Sequence, residues 1–276
     1  MSQFKVKLEK IVAQNDSLVC VGLDTDPKKI PQSVSKKADP IFEFNKAIID
    51  ATADLVCAYK PQIAFYAAEG EKGSRALKKT VEYLRKNYPQ VPVICDAKRG
   101  DIGNTAAKYT EEIFDWFGFD AVTVNPYLGF DSIEPFLKRE DKGIIILCRT
   151  SNPGAADFQD LRINGAPLYQ IVAKKIVKWN KQYGNCLMVT GATWPKQLSE
   201  IRKIASDIPF LVPGIGAQGG EVEAAVKNGQ DKKGAGLIIN SSRGIIYASS
   251  GPDFAKVARA ETEKLRNEIN KYRRKK

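Results

Sequence analysis

Residues 95–105 read CDAKRGDIGNT and place Asp96 and Lys98 two positions apart, directly after an apolar run, with Asp101 five residues beyond Asp96. Residues two apart on a strand project to the same side, so this carboxylate and this ammonium share one space, with the small Ala97 between them. Lys60, in AYKPQ, ends another apolar run and extends the pair to an alternating cluster of cations and carboxylates. A lysine kept protonated by neighbouring carboxylates can stabilise developing negative charge and deliver a proton. The chain contains no histidine, so acid–base work near neutral pH falls to Lys, Asp or Glu. For a single Asp–Lys pair, an ordinary ion-pair network at a sheet rim is the competing reading. Asp101 fits least easily: Gly100 interrupts the strand and GDIGNT reads as a turn into a helix, which Asp101 or Asn104 could simply cap.

Such a cluster needs a scaffold, and the apolar runs supply one. Eight short runs rich in Val, Ile, Leu and Cys recur at Leu18–Leu23, Leu55–Tyr59, Val91–Cys95, Ala121–Val124, Gly143–Cys148, Cys186–Thr190, Pro209–Val212 and Gly236–Asn240. Helical patterns separate them at Pro40–Thr52, Gly73–Asn87, Asn104–Phe117, Ser132–Lys138, Pro167–Tyr183, Pro195–Ala205 and Gly220–Lys227, and Pro252–Tyr272 closes the chain. This alternation, without a composition break, predicts one α/β domain over residues 1–276, a single (β/α)8 TIM barrel with an N-terminal helix and a basic C-terminal helix and tail. An open doubly wound sheet is the alternative. The runs end in Asp24, Lys60, Asp96 with Lys98, Asn125, Thr150 with Ser151, Gly191, Pro213 with Gly214, and Ser241 with Arg243. In a barrel these ends line one mouth.

Composition bounds the function. At 276 residues, 43% hydrophobic and 27% charged, the chain is an ordinary globular protein. Its longest apolar runs, such as GIIILC, fall far short of the ~20 residues that span a bilayer, and the N-terminal segment lacks the apolar centre of a signal peptide. A cytoplasmic protein without membrane contact is expected. Cys20, Cys57, Cys95, Cys148 and Cys186 show no metal-ligand spacing and read as buried free thiols. The net charge of +11 suggests an anionic partner. Without a groove-reading helix or stacking aromatic motif, a small anion is favoured over nucleic acid. PGIGAQGG formally satisfies GxGxxG, but it follows the seventh run, where barrels place phosphate sites, and not a first βα turn. Its glycines admit a close backbone approach to an anion, and Gln218 and Arg243 are placed as donors.

DAKRGDIGNT resembles the D-x-K-x-x-D-I signature of the orotidine 5′-monophosphate decarboxylases, and KPQIAFY, TSNPGA, VPGIGAQGG and NSSRGIIYAS resemble other segments of that family, in its longer, mainly bacterial subgroup. The likeness runs in order from about Gly22 to Tyr247. It implies decarboxylation of orotidine 5′-monophosphate to uridine 5′-monophosphate, the last step of de novo pyrimidine synthesis, without metal or cofactor, in a homodimer. The charged array it implies is Lys60, Asp96 and Lys98 from one subunit with Asp101 from the other, Ile102 and Thr105 accompanying Asp101. Asp24 and Lys60 are implied at the ribose, Ser151 at the pyrimidine with Thr150 as the alternative, Gln218 and Arg243 at the phosphate, and Pro213 among the substrate contacts. Asn125 has the position of a site residue but no assigned role. Related sugar-phosphate decarboxylases and aldolases carry a similar motif but use Mg²⁺ held by a Glu after the second strand; Lys60 stands there in this chain. Other phosphate-binding barrels are a more remote alternative.

Overall fold

The computed structural model describes residues 2–215 and 221–274. Eight parallel strands form the centre: β1 Val19–Gly22, β2 Ala58–Lys60, β3 Ile94–Arg99, β4 Ala121–Val124, β5 Gly143–Arg149, β6 Cys186–Thr190, β7 Phe210–Val212 and β8 Leu237–Ser241. Each pairs with its sequence neighbour from β3 through β8, β8 pairs with β1, and β1 with β2. Isolated parallel bridges Tyr59↔Val93 and Gln62↔Asp96 join β2 to β3 and complete the ring. The expected (β/α)8 barrel is therefore the fold, and the open doubly wound sheet is not.

The strands read as unbroken apolar runs because both their faces are covered, by the barrel interior and by the helical ring. Val19, Val21, Ile94, Val122, Ile145, Met188, Leu211 and Ile239 are all buried. In the helix Gly70–Asn87, Ala76, Leu77, Val81 and Leu84 form the stripe that packs on the barrel, while its lysines and glutamates face outward. The N-terminal helix Gln3–Gln14 is capped by Ser2, whose hydroxyl accepts from the Lys5 amide, and it buries Phe4, Leu8 and Ile11. The C-terminal helix spans Phe254–Tyr272.

Several boundaries differ from expectation. β3 continues through Arg99 and so carries Asp96 and Lys98 within the strand, not beyond its end. β2 lies later than the apolar run that announced it, because Leu55–Cys57 lead into the barrel and only Ala58–Lys60 pair. The helix expected over Asn104–Phe117 is α-helical over Gly103–Thr110 and π-helical over Glu111–Phe117. After β5 a short hairpin, Arg162–Ile163 against Ala166–Pro167, was not anticipated. It turns on Asn164 and Gly165, both at positive φ (49° and 81°), as a two-residue Asn-Gly turn requires.

Candidate functional site

Strand β3 is irregular where its charges lie. Cys95 pairs with Val122 and Arg99 with Val124, so Asp96, Ala97 and Lys98 together oppose the single residue Thr123. Thr123 Oγ1 accepts from the amides of Ala97 (3.0 Å) and Lys98 (2.9 Å) and donates to Asp96 Oδ1 (2.9 Å). Lys98 adopts a left-handed backbone, φ +48°, which costs a non-glycine residue roughly 1–2 kcal/mol. Asp96 and Lys98 do share one space, but a bulge stapled by a threonine puts them there, not simple strand alternation. Lys98 Nζ donates to Asp96 Oδ1 at 2.7 Å.

Ring closure brings in the second lysine. The amide of Asp96 donates to Pro61 O across the β2–β3 seam, which sets Lys60 beside Asp96, and Lys60 Nζ donates to Asp96 Oδ2 at 2.9 Å. Asp24, at the end of β1, stands 3.9 Å from the same ammonium. Lys60 is 3% and Asp96 8% exposed. Burial opposes charge on Lys60, but Asp96 and Asp24 outweigh it and hold the ammonium above its ordinary pKa. Burial would likewise raise Asp96, yet the two lysines hold its carboxyl well below the usual carboxylate range. The triad is thus a fixed row of charges, ammonium–carboxylate–ammonium. Only Lys98, its side chain 46% exposed, reaches open space.

These groups form one wall of a cavity of about 540 Å³ at the C-terminal mouth of the barrel. Thr150, Ser151, Pro213, Gly214 and Arg243 line it from the opposite side, with Leu147, Val189 and Leu211 making an apolar floor. Arg243 opens a short helix, Arg243–Ile246, and makes no side-chain hydrogen bond or ion pair among the described residues. Gly214 takes φ +100° at the wall. Gln218 and the remaining glycines of its loop lie outside the described residues. The Thr150 hydroxyl is engaged, donating to Asn152 Oδ1 (2.7 Å) and accepting from Gln159 Nε2 (2.9 Å), whereas the Ser151 hydroxyl has no partner among the described residues. Asp101, Ile102 and Thr105 do not line this cavity. Asp101 Oδ1 accepts from the Ile102 amide at 2.8 Å, and the helix Gly103–Thr110 has no side-chain cap, so neither Asp101 nor Asn104 acts as one.

The model of the orotidine 5′-phosphate decarboxylase / HUMPS family matches residues 17–258, most of the chain. The chain belongs to that family. It is 55% identical over 269 residues to the orotidine 5′-phosphate decarboxylase of Cellvibrio japonicus, covering 97% of this chain and 98% of that one. Among solved structures, the OMP decarboxylase of Leishmania donovani superposes with a TM-score of 0.85 at 37% identity, 99% of each chain being covered. The UMP synthase of the same organism superposes at 0.87 with 38% identity; all but 1% of this chain spans 57% of that longer one.

Within this decarboxylase family fold, two cavity residues, Thr123 and Asn240, were not singled out by the sequence. Thr123 sits mid-run in AVTV, where a hydroxyl looks like an ordinary strand threonine. Asn125, conspicuous at a strand end, caps the turn Pro126–Leu128 through Oδ1, which accepts from the Tyr127 amide. The buried Oδ1 atoms of Asp24 and Asn240, both cavity residues, have no hydrogen-bond partner among the described residues. Among the described residues no group of three or more His, Cys, Asp or Glu is arranged to hold a metal ion. All five cysteines are free and buried. No helix of the described residues is long and apolar enough to cross a membrane.

Proposed function

We propose that this chain decarboxylates orotidine 5′-phosphate to uridine 5′-phosphate, with Lys98 as the group that stabilises and then protonates the reacting carbon. The observation that carries this reading is the Lys60–Asp96–Lys98 row at the mouth, fully paired internally yet ending in one accessible ammonium. Loss of CO2 breaks the bond between C6 and the carboxylate and leaves the electron pair in the ring plane, where the π system cannot take it up. A fixed cation at that position lowers the barrier electrostatically, and pre-organised charge of this kind is the largest single source of rate in many enzymes. The pair then takes a proton from Lys98 Nζ, and the resulting amine recovers one from solvent. Asp96, facing the substrate carboxylate, opposes the ground state and anchors Lys98.

Asp24, with its unsatisfied Oδ1, and Lys60 suit the ribose hydroxyls. Ser151 suits the pyrimidine better than Thr150, whose hydroxyl is already bonded at both donor and acceptor. Arg243, uncommitted at the mouth, suits the phosphate together with Gln218, and Pro213 on the same wall suits a substrate contact. The sugar-phosphate branch of the family is disfavoured by charge: the ammonium of Lys60 would repel a divalent cation at the end of β2. Asp101 is supplied from a second subunit, with Ile102 and Thr105. The support is that none of the three faces the cavity of its own chain, while Ile102, Tyr127 and Leu128 expose apolar surface on the loops after β3 and β4. Five buried free thiols suit a reducing cytoplasm.

Purified protein is expected to bleach the ultraviolet absorbance of orotidine 5′-phosphate, with EDTA making no difference. Unchanged absorbance from folded protein rejects the assignment. Mixing inactive Lys98→Ala and Asp101→Ala subunits should restore part of the activity, and mixtures that stay inactive while subunits exchange reject the shared site.

A further inference from the structure

The loop after β5 carries Ser151, whose hydroxyl is uncommitted, and its backbone is held by a group buried outside the cavity. Arg149, the last residue of β5, has a side chain 0% exposed. Leu147 pairs with Val189 and Arg149 with Thr190, so one extra residue is accommodated between them. Leu147 faces the cavity, and regular alternation would aim Arg149 into it too; the irregularity turns the guanidinium away, and Arg149 is not among the cavity residues.

The guanidinium makes a strap. Nη1 donates to Thr150 O (3.2 Å) and Nη2 to Asp160 Oδ2 (3.1 Å), while its carbon lies 4.6 Å from the centre of the Trp194 ring. Trp194 Nε1 donates to the same Thr150 carbonyl (3.1 Å), and Thr193 Oγ1 to the Ser151 carbonyl (3.1 Å). Gly191 completes the seat, because a Cβ there would lie 2.7 Å from Ser151 Cα and 2.8 Å from its nitrogen. The Thr150–Ser151 backbone is therefore fixed from behind, by two donors on one carbonyl, one on the next, and a glycine that lets β6 press against it. A buried ion pair whose acidic member is half-exposed is a weak device for stability. What the guanidinium adds is direction, because its N–H groups radiate in one plane toward the loop.

We propose that Arg149, stacked on Trp194, is a positioning residue for the decarboxylation, acting through Ser151 by setting where that side chain meets the base. The inference rests on the reading of Ser151 as the pyrimidine contact. Its test is a double-mutant cycle on kcat/KM for orotidine 5′-phosphate with Arg149→Met, Ser151→Ala and the double variant. R149M should lower kcat/KM about tenfold or more in the otherwise native enzyme, since misplacing a contact by ~1 Å can cost ~10²-fold, but less than about twofold in the S151A background. A merely structural arginine would lower both backgrounds by the same factor, and that result overturns the clamp. Native kcat/KM in S151A alone overturns the Ser151 reading and the clamp with it. Should R149M fail to fold, Trp194→Phe, which removes a single donor, takes its place in the cycle. It should show the same dependence on Ser151 with a smaller loss, about threefold; equal loss in both backgrounds again overturns the proposal.

Discussion

The two sides of the cavity are built on opposite principles. On the β2–β3 side every charge is already answered: Lys60 and Lys98 each bond one oxygen of Asp96, Thr123 adds a third bond, and the barrel seam buries Lys60 and Asp96, leaving Lys98 at the open end of the row. On the β7–β8 side the cation stands alone, Arg243 being exposed and unpaired among the described residues, on a four-residue helix beside a glycine at positive φ. The first arrangement fixes an electric field before substrate arrives, so little reorganisation is needed as charge develops. In the proposed reading, the second leaves its bonding capacity for the substrate phosphate, whose binding energy can then be used to order the site.

The sharpest way to break this contrast is Lys98→Ala. General acid–base catalysis contributes ~10²–10⁴-fold and a stabilising donor a further ~10²–10³-fold, so kcat should fall by at least about 10⁴ while the fold persists. A single-turnover assay reads the first and circular dichroism the second; an activity loss below about tenfold would remove Lys98 from the chemistry. Asp96→Ala attacks the same row from its buried centre and should add a stability defect. It strands Lys60, 3% exposed, without its closest counter-charge, and breaking a buried pair costs about 3–5 kcal/mol, visible as a lower urea midpoint.

Arg243→Ala, on the opposite wall, should leave the urea midpoint unchanged and lower kcat/KM by roughly 10–100-fold, the worth of charge-assisted hydrogen bonds to an anion. Added inorganic phosphate should inhibit this variant less than the native enzyme. Turnover falling along with affinity would show the phosphate's binding energy reaching the chemical step; a pure KM effect would confine Arg243 to capture.

The smallest effect is on pH. Asp96 is depressed in the folded protein, so its contribution to stability is complete above the ordinary carboxylate pKa of about 3.9 and is lost as pH falls from there toward the folded value. Lys60 is raised, so its contribution is complete below about 10.4 and is lost only as pH climbs past that toward the folded value. Neither should shape kcat between about pH 5 and 9, and an acid limb in kcat/KM near ~6 would belong to the phosphate of the substrate. A kcat profile bending inside that window would show the row to be less tightly coupled than its distances indicate.

Much of this was legible in the residues. Apolar runs separated by amphipathic stretches specify a barrel because a parallel sheet must be covered on both faces, and that pattern is local. Polar residues at the run ends marked Asp24, Lys60, Asp96, Lys98, Ser151 and Arg243, because the catalytic mouth of such a fold coincides with its strand ends. Even the missed hairpin had its signal in Asn164-Gly165, the dipeptide most suited to a two-residue turn. The run ends also announced that Lys60 would join Asp96 and Lys98, and the ring closing at β2–β3 brings them together. Two features were not legible. The bulge that lets Thr123 answer three residues depends on register between β3 and β4. The turning of Arg149 away from the cavity depends on one extra residue, Cys148, between the pairings of Leu147 and Arg149 with β6. Residue types and their spacing determined which charges stand at the mouth, since side-chain chemistry and strand periodicity are properties of the chain alone. Tertiary structure decided which of those charges face each other and which stay free, because register and closure are set by packing between segments dozens of residues apart.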